Sequence, residues 1–182
     1  LANKQIPYLM KTLAEVIATG LVFGLVMAIV SNFFVLGVEW LSTFRKSPDF
    51  LTVEIWGQNV SPFPLLSLVV AAFVLIAIRK LLKIQRWHGP ADSIYAAHRT
   101  DNELDTKHGF GSTLAAFVSA GGGASVGQYG PLVHFGAVMG SLLRQMTSSK
   151  LTTDVFIGCG VAGAIAAGFN APIAGVIFAH EA

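Results

Sequence analysis

Charge is scarce in this sequence of 182 residues: Asp, Glu, Lys and Arg make up 12% of it, against 53% hydrophobic residues. That is about half the charge usage of an ordinary soluble domain. The mean hydropathy is +0.64. Such a composition excludes a disordered chain and argues against a water-soluble globule. Cysteine is nearly absent too. The single thiol, Cys159, stands in a Gly/Ala-rich apolar run, which excludes a disulfide framework and a CxxC metal site and leaves it as a small packing residue. Five histidines, at 88, 98, 108, 134 and 180, show no i,i+4 pairing and have no cysteine partner, so neither a metal centre nor any cofactor is expected. The net charge of +2 is not gathered into a basic tract or an aromatic-interleaved patch, which excludes nucleic acid as a partner. No charged n-region with a short apolar run and small-residue cleavage site opens the chain, so no signal peptide is read.

What the sequence does have is long apolar runs. Val16 to Val38 carries no charge, enough at about 1.5 Å per residue to cross a hydrocarbon layer of roughly 30 Å. A turn-rich segment follows, with Ser47-Pro48-Asp49 and Ser61-Pro62-Phe63-Pro64, and then Leu65 to Ile78 runs apolar into Arg79, Lys80, Lys83 and Arg86. Two spanning helices are expected, at about 12–40 and about 60–82. The second has a short apolar part, so it must draw on Ile55 to Phe63 or let its basic residues snorkel. Lys4 and Lys11 before the first span and the basic cluster after the second place both outer flanks on the cytoplasmic side. Trp40, Trp56 and Trp87 fall near the span ends, where amphipathic rings favour the interface. The chain opens on Leu1 rather than Met, and no helix stop signal accompanies Glu181 and Ala182. It reads as an internal stretch of a longer membrane protein.

The second half differs in kind. His108 to Leu143 and Val155 to His180 contain no Asp or Glu and no Lys or Arg, yet glycine and proline interrupt them repeatedly. Broken helices at membrane depth are tolerated where they are buried in protein or line a cavity, so this region reads as pore or site architecture. Gly20/Gly24, Gly123/Gly127 and Gly136/Gly140 have GxxxG spacing, which lets helices approach closely in lipid. Gly130-Pro131 reads as a loop-to-helix junction with proline near the first helical position. The unpaired N–H groups and positive dipole end of such a start suit an anion without a full positive charge; a tight turn between packed helices explains the same residues. Downstream, a small-residue helix breaks at Asn170-Ala171-Pro172 and a new one begins at the proline.

Two other motifs lack their context. Gly123-Ala124-Ser125-Val126-Gly127 matches G-x-S-x-G literally, but a nucleophile elbow needs a preceding strand and an acidic orienter for a base such as His134 or His180. The glycine run is followed by no Lys-Ser/Thr and so is not a phosphate loop. The chain is not read as an enzyme.

Taken together, Gly127-Gln128-Tyr129-Gly130-Pro131-Leu132-Val133-His134-Phe135-Gly136 and Ala162 to Phe178, with Phe169-Asn170-Ala171-Pro172-Ile173-Ala174-Gly175 at its heart, resemble the CLC family of chloride channels and proton-coupled chloride transporters. The resemblance extends over about Arg86 to Ala182. It implies an all-α, multi-pass membrane protein, a CLC-type bundle of tilted and broken helices. Residues 1–182 would form an incomplete first of two inverted halves, with a broken-helix anion-pathway region at about 86–182. It also implies a homodimer in the cell membrane, surrounded by the lipid bilayer, with chloride or a similar small anion as the transported species.

Departures from the family pattern bear on mechanism. In G-[KR]-E-G-P the gating glutamate falls on Tyr129 and the basic residue on Gln128. The family's paired Glu-Glu falls on Glu181-Ala182, so the inner proton-accepting position is Ala182. The first anion motif, G-S-G-I-P, is represented by Arg86-Trp87-His88-Gly89-Pro90, with its serine position on Trp87 or His88. The resemblance therefore places the anion pathway at Gln128, Tyr129, Gly130 and Pro131 and at His88, Gly89 and Pro90. It implies passive or proton-uncoupled conduction. The alternatives are a proton-coupled chloride antiporter and a conduction-dead structural subunit.

Overall fold

The computed structural model describes residues 2–46, 52–55, 58–147, 149 and 151–181. Seven helices and one short hairpin follow in order: α1 (Ala2–Lys46), β1 (Val53–Ile55), β2 (Gln58–Val60), α2 (Phe63–Leu82), α3 (Pro90–His98), α4 (Thr106–Gly122), α5 (Tyr129–Met146), α6 (Thr153–Phe169) and α7 (Pro172–Glu181). The expected Ser47-Pro48-Asp49 turn, Trp56 and Ala182 lie outside the described residues. The architecture is the expected all-α one, with the hairpin as an addition inside the α1–α2 connection.

Both long apolar helices depart from their expected bounds. α1 runs beyond 12–40 at each end, because charged residues such as Lys11 and Glu39 sit comfortably in the solvent-facing turns of a helix, and a charge-free run marks only its middle. α2 starts at Phe63 and does not draw on Ile55 or on Gln58–Val60; Val53–Ile55 and Gln58–Val60 pair instead as an antiparallel ladder with Val53 opposite Val60, Glu54 opposite Asn59 and Ile55 opposite Gln58. It gains its length at the other end, where Arg79 and Lys80 lie inside the last turn and complement the negative end of the dipole. Lys83 closes it in the left-handed region at φ 55, while the Arg79 Nε donates to the Ile84 carbonyl at 3.2 Å. Leu9–Thr43 and Phe63–Leu82 are long and apolar enough to cross a membrane. Large apolar side chains along them, including Phe33, Leu65, Phe73 and Leu81, are exposed. A core helix of a soluble domain would bury them, so this surface suits lipid or another protein.

Burial concentrates on the partners of α5. Val133, Ala137 and Val138 on α5 join Ile157, Val161, Ala164 and Ile165 on α6, with Met27 of α1 and Ala96 of α3 closing the cluster. Of the three expected GxxxG pairs, one makes the close approach. A Cβ on Gly136 would strike the Gly160 carbonyl oxygen and lie 2.9 Å from Ala164 Cβ; one on Gly140 would strike the Phe156 carbonyl oxygen. Backbone thus packs on backbone. Gly20 and Gly24 have nothing within 4 Å, and neither does Gly127, while Gly123 serves as the left-handed cap of α4 at φ 103.

Local signals set the remaining boundaries. Asp105 caps α4 by accepting from the His108 N–H at 3.0 Å. The Gly123 and Ala124 N–H groups return to the Ala120 and Ser119 carbonyls and end that helix. α6 stops at Asn170, which is left-handed at φ 52 and ψ 37, and Pro172 opens α7, as the sequence predicts.

Candidate functional site

The two Gly-Pro helix starts meet. A Cβ on Gly130 would sit 3.6 Å from Pro90 Cγ, so the beginnings of α3 and α5 touch although they are far apart in sequence. Beside the contact lies a cavity of about 260 Å³ whose lining includes Trp87, His88, Ser112, Ser119, Gly127 and Pro131. A second cavity of about 290 Å³ is lined by Pro90, Ser93, Val133, Asp154, Phe178 and His180, among others.

The two helix starts differ in electrostatics. Gly89 is the extended N-cap of α3, at φ −153 and ψ −168, with Pro90 as the first helical residue. Asp92, in the first turn, turns its carboxylate back onto the start: Oδ2 accepts from the Gly89 N–H at 2.8 Å and Oδ1 pairs with the Arg86 guanidinium. Burial pulls the Asp92 carboxyl upward, but the bonds from Gly89 and Arg86 outweigh it and hold the group below the usual carboxylate range. The positive end of α3 is therefore already answered by an internal anion.

α5 begins bare. Gln128 is its N-cap with no side-chain capping bond, and no acidic residue occupies its first turn. It starts at Tyr129, so Pro131 is its third residue rather than its first. Proline is still tolerated there, because the first-turn N–H groups have no intrahelical acceptor. Gln128, Tyr129, Gly130 and Pro131 lie together at this start. The Tyr129 ring stacks on Phe169, with centroids 4.4 Å apart and planes tilted by 34°. It also covers Gly168, where a Cβ would come within 2.9 Å of Tyr129 Cδ1. Tyr129 is thereby docked on the end of α6, beside the Asn170 break.

His88 is fixed from its main chain. Its N–H donates to Ser112 Oγ at 2.9 Å, and the Ser112 hydroxyl donates to the His108 carbonyl at 2.8 Å. The ring stands edge-on to two other imidazoles, 5.7 Å from His108 and 6.0 Å from His134 between centroids. His108 is held by Asp105, whose carboxylate binds both its N–H and its ring. Burial pushes the Asp105 carboxyl up, but the bonds from the His108 N–H and ring outweigh it and hold that group low.

The family resemblance implies a pathway at Gln128 to Pro131 and at His88 to Pro90; in the fold Gly130 lies against Pro90. Sequence reasoning missed Ser93, His108, Ser112 and His134, which are assembled from three helices at irregular spacing, so no local periodicity marks them. Glu181 is exposed at the end of α7, away from these helix starts in the chain. Ser125 is also exposed; a helix rather than a strand precedes it, so the nucleophile elbow has no counterpart here. Among the described residues no three His, Cys, Asp or Glu side chains are arranged to hold a metal ion.

Comparison with known proteins follows the same lines. The family profile described as "Voltage gated chloride channel" matches residues 69–182. The voltage-gated ClC-type chloride channel ClcB of Escherichia coli O139:H28 is 28% identical over 149 residues, covering 79% of this chain and 34% of that protein. ClcB of Shigella boydii serotype 18 gives the same figures. The chain thus spans about a third of the length of these relatives. No solved structure matches it. With the profile covering more than half of the sequence, and the Gly-Pro helix starts and the Asn170 break inside the matched region, the chain belongs to the voltage-gated chloride channel family, the CLC family.

Proposed function

We propose that this chain is part of a multi-pass protein of the cell membrane that conducts chloride or a similar small anion passively, without coupled proton movement. The observation that carries the reading is the contact of Gly130 with Pro90, which sets two helix N-termini side by side at one cavity. At the α5 start, N–H groups and a dipole end face outward with no carboxylate to neutralise them. Partial charges of this kind hold an anion weakly enough to release it, as conduction requires. Gln128, Tyr129, Gly130 and Pro131 form the principal anion position. His88, Gly89 and Pro90 form its flank, with Asp92 moderating the field. The relatives are named as chloride channels, which supports the choice of anion.

Proton uncoupling rests on Tyr129. It sets a phenol, able to donate a hydrogen bond, where coupled exchange would use a carboxylate. Ala182, at the inner proton-accepting position, carries no ionisable group at all. The chain works as a conduit rather than an enzyme, in a homodimer with one pathway per subunit.

The test is chloride efflux from liposomes holding the complete natural protein, with external pH recorded in the same vessel and voltage clamped by an ionophore. Efflux without proton movement is expected. Chloride-driven proton uptake would replace this reading with coupled exchange, and absence of flux for every small anion would replace it with a structural subunit.

A further inference from the structure

A buried imidazole next to the proposed pathway has one hydrogen bond too few. His134, on the second turn of α5, is 1% exposed, as is Ser93 of α3. Ser93 Oγ and His134 Nδ1 are 2.7 Å apart, and Ser93 Oγ has no other partner among the described residues. A buried hydroxyl hydrogen needs an acceptor, and the lone pair of Nδ1 is the one within reach, so Ser93 donates and His134 carries its own proton on Nε2. That Nε2–H has no acceptor among the described residues, in an interior where nearly all such groups are satisfied. It lies against Gly109 of α4, where a Cβ would come within 3.2 Å of it and would strike Val138 Cγ2, so only glycine fits there. The neighbouring ring is His88, edge-on at 86° and 6.0 Å, and the His88 Nδ1 likewise has no partner. Ser93 lines the second of the two cavities and His88 the first.

We propose that His88 and His134 form a small-anion subsite that is switched on by protonation of His88. With His88 neutral, one water satisfies both rings, accepting from the His134 Nε2–H and donating to the His88 Nδ1. Once Nδ1 holds a proton, both nitrogens donate, and an acceptor-only species such as a halide replaces the water. The halide also neutralises the imidazolium where solvent is scarce, so anion binding and proton binding at this pair favour each other. The charged and titratable groups facing His88 are Lys83 and Arg86 from the α2–α3 connection, Asp92 from α3, Asp105 and His108 from α4, and His134 from α5. Both carboxylates are committed, Asp92 to the Gly89 N–H and Arg86, Asp105 to His108. Both also act on His88 through space, and a small anion held by the two ring N–H groups adds to their field on the imidazolium. This subsite rests on the anion-pathway reading above.

The experiment titrates bromide into the complete protein, ¹⁵N-labelled at histidine, in lipid nanodiscs at about pH 5.5 and about pH 7.5, on either side of the usual histidine range. Histidine N–H signals are followed, with assignment from His88→Gln and His134→Asn. Chloride efflux is measured in parallel. The expected result is a bromide-dependent shift of the His134 signal at the acidic pH, with binding roughly tenfold or more weaker at the higher pH and in His88→Gln. Efflux should rise on acidification, and His134→Asn should remove that rise, since its amide oxygen still takes the Ser93 hydroxyl but it offers no Nε2–H. A titration with no bromide-dependent shift while efflux proceeds overturns the subsite and leaves the pathway standing. A shift without any efflux supports the subsite and overturns the pathway. Should His134→Asn fail to fold, the titration of the native protein against His88→Gln decides the matter.

Discussion

Replacing one glycine in each of two identical-looking motifs is expected to give opposite results. At Gly136 the new Cβ of Gly136→Ala would meet the Gly160 carbonyl oxygen and lie 2.9 Å from Ala164 Cβ. The first of these is backbone, which has no rotamer to give way, so α5 and α6 must separate along the contact that organises the core. Overpacking of this kind costs about 1–3 kcal/mol, and loss of the neighbouring contacts puts Gly136→Ala at the upper end. At Gly20 nothing lies within 4 Å, and alanine is the better helix former by roughly 0.5–1 kcal/mol, so Gly20→Ala is expected to be neutral or stabilising. The two variants should therefore differ by about 3 kcal/mol, more than a hundredfold in the folding equilibrium. Thermal unfolding in a mild detergent, with the natural protein alongside, reads the ranking directly. The double variant Gly136→Ala with Gly160→Ala should cost less than the sum of its parts, because helices already pushed apart have room for a second methyl. If Gly136→Ala melts no lower than Gly20→Ala, the backbone contact between α5 and α6 is wrong.

Other substitutions probe the site and its supports. Tyr129→Glu puts a carboxylate at the uncapped start of α5; chloride efflux should fall several-fold to roughly tenfold at neutral pH and recover on acidification, and an unchanged flux and pH profile would remove Tyr129 from the pathway. Asp92→Asn weakens the bond to the Gly89 N–H and should cost about 1 kcal/mol in thermal stability. Because the folded Asp92 carboxyl lies below its ordinary value, that stabilisation is complete above about pH 4 and lost as pH falls through the folded value. The acid limb of the melting curve should flatten in the Asn variant. Asn170→Gly should leave the melting temperature unchanged or raised, whereas Asn170→Ala, forced into the left-handed region at φ 52, should cost about 1–2 kcal/mol.

The parts of the fold that sequence made legible are those governed by short-range chemistry. The charge-free run from Val16 to Val38 marks a helix because no other backbone satisfies itself in so apolar a stretch. Asn170 before Ala171-Pro172 marks a break because proline admits no continuing hydrogen-bond ladder. Gly89-Pro90 and Gly130-Pro131 mark helix starts for the reason of the missing N–H. Helix ends were less legible: α1 extends into charged turns, and residues near Ile55 chose a hairpin over an extended α2. The meeting of Gly130 with Pro90 was implied by family resemblance alone, since nothing in residues 86–131 encodes which helix starts will touch. The imidazole group was not legible at all. His88, His108 and His134 come from a loop and two helices, and only tertiary packing turns their irregular spacing into neighbourhood. Likewise, three glycine pairs look equivalent on paper, and what separates Gly136/Gly140 from Gly20/Gly24 is the surface each finds opposite.

The glycine contact between α5 and α6 also constrains how the pathway moves. A joint of backbone on backbone contains nothing that bends, so the two helices slide, tilt or shift together as one lever. Tyr129 rides at the start of one arm, and its stacking partner Phe169 at the end of the other. Displacing the helix pair therefore carries the aromatic ring and its seat together and leaves their separation unchanged. The phenol leaves that seat by turning about its own side-chain bonds, so its release is a rotamer event, set by the fit of one ring on another.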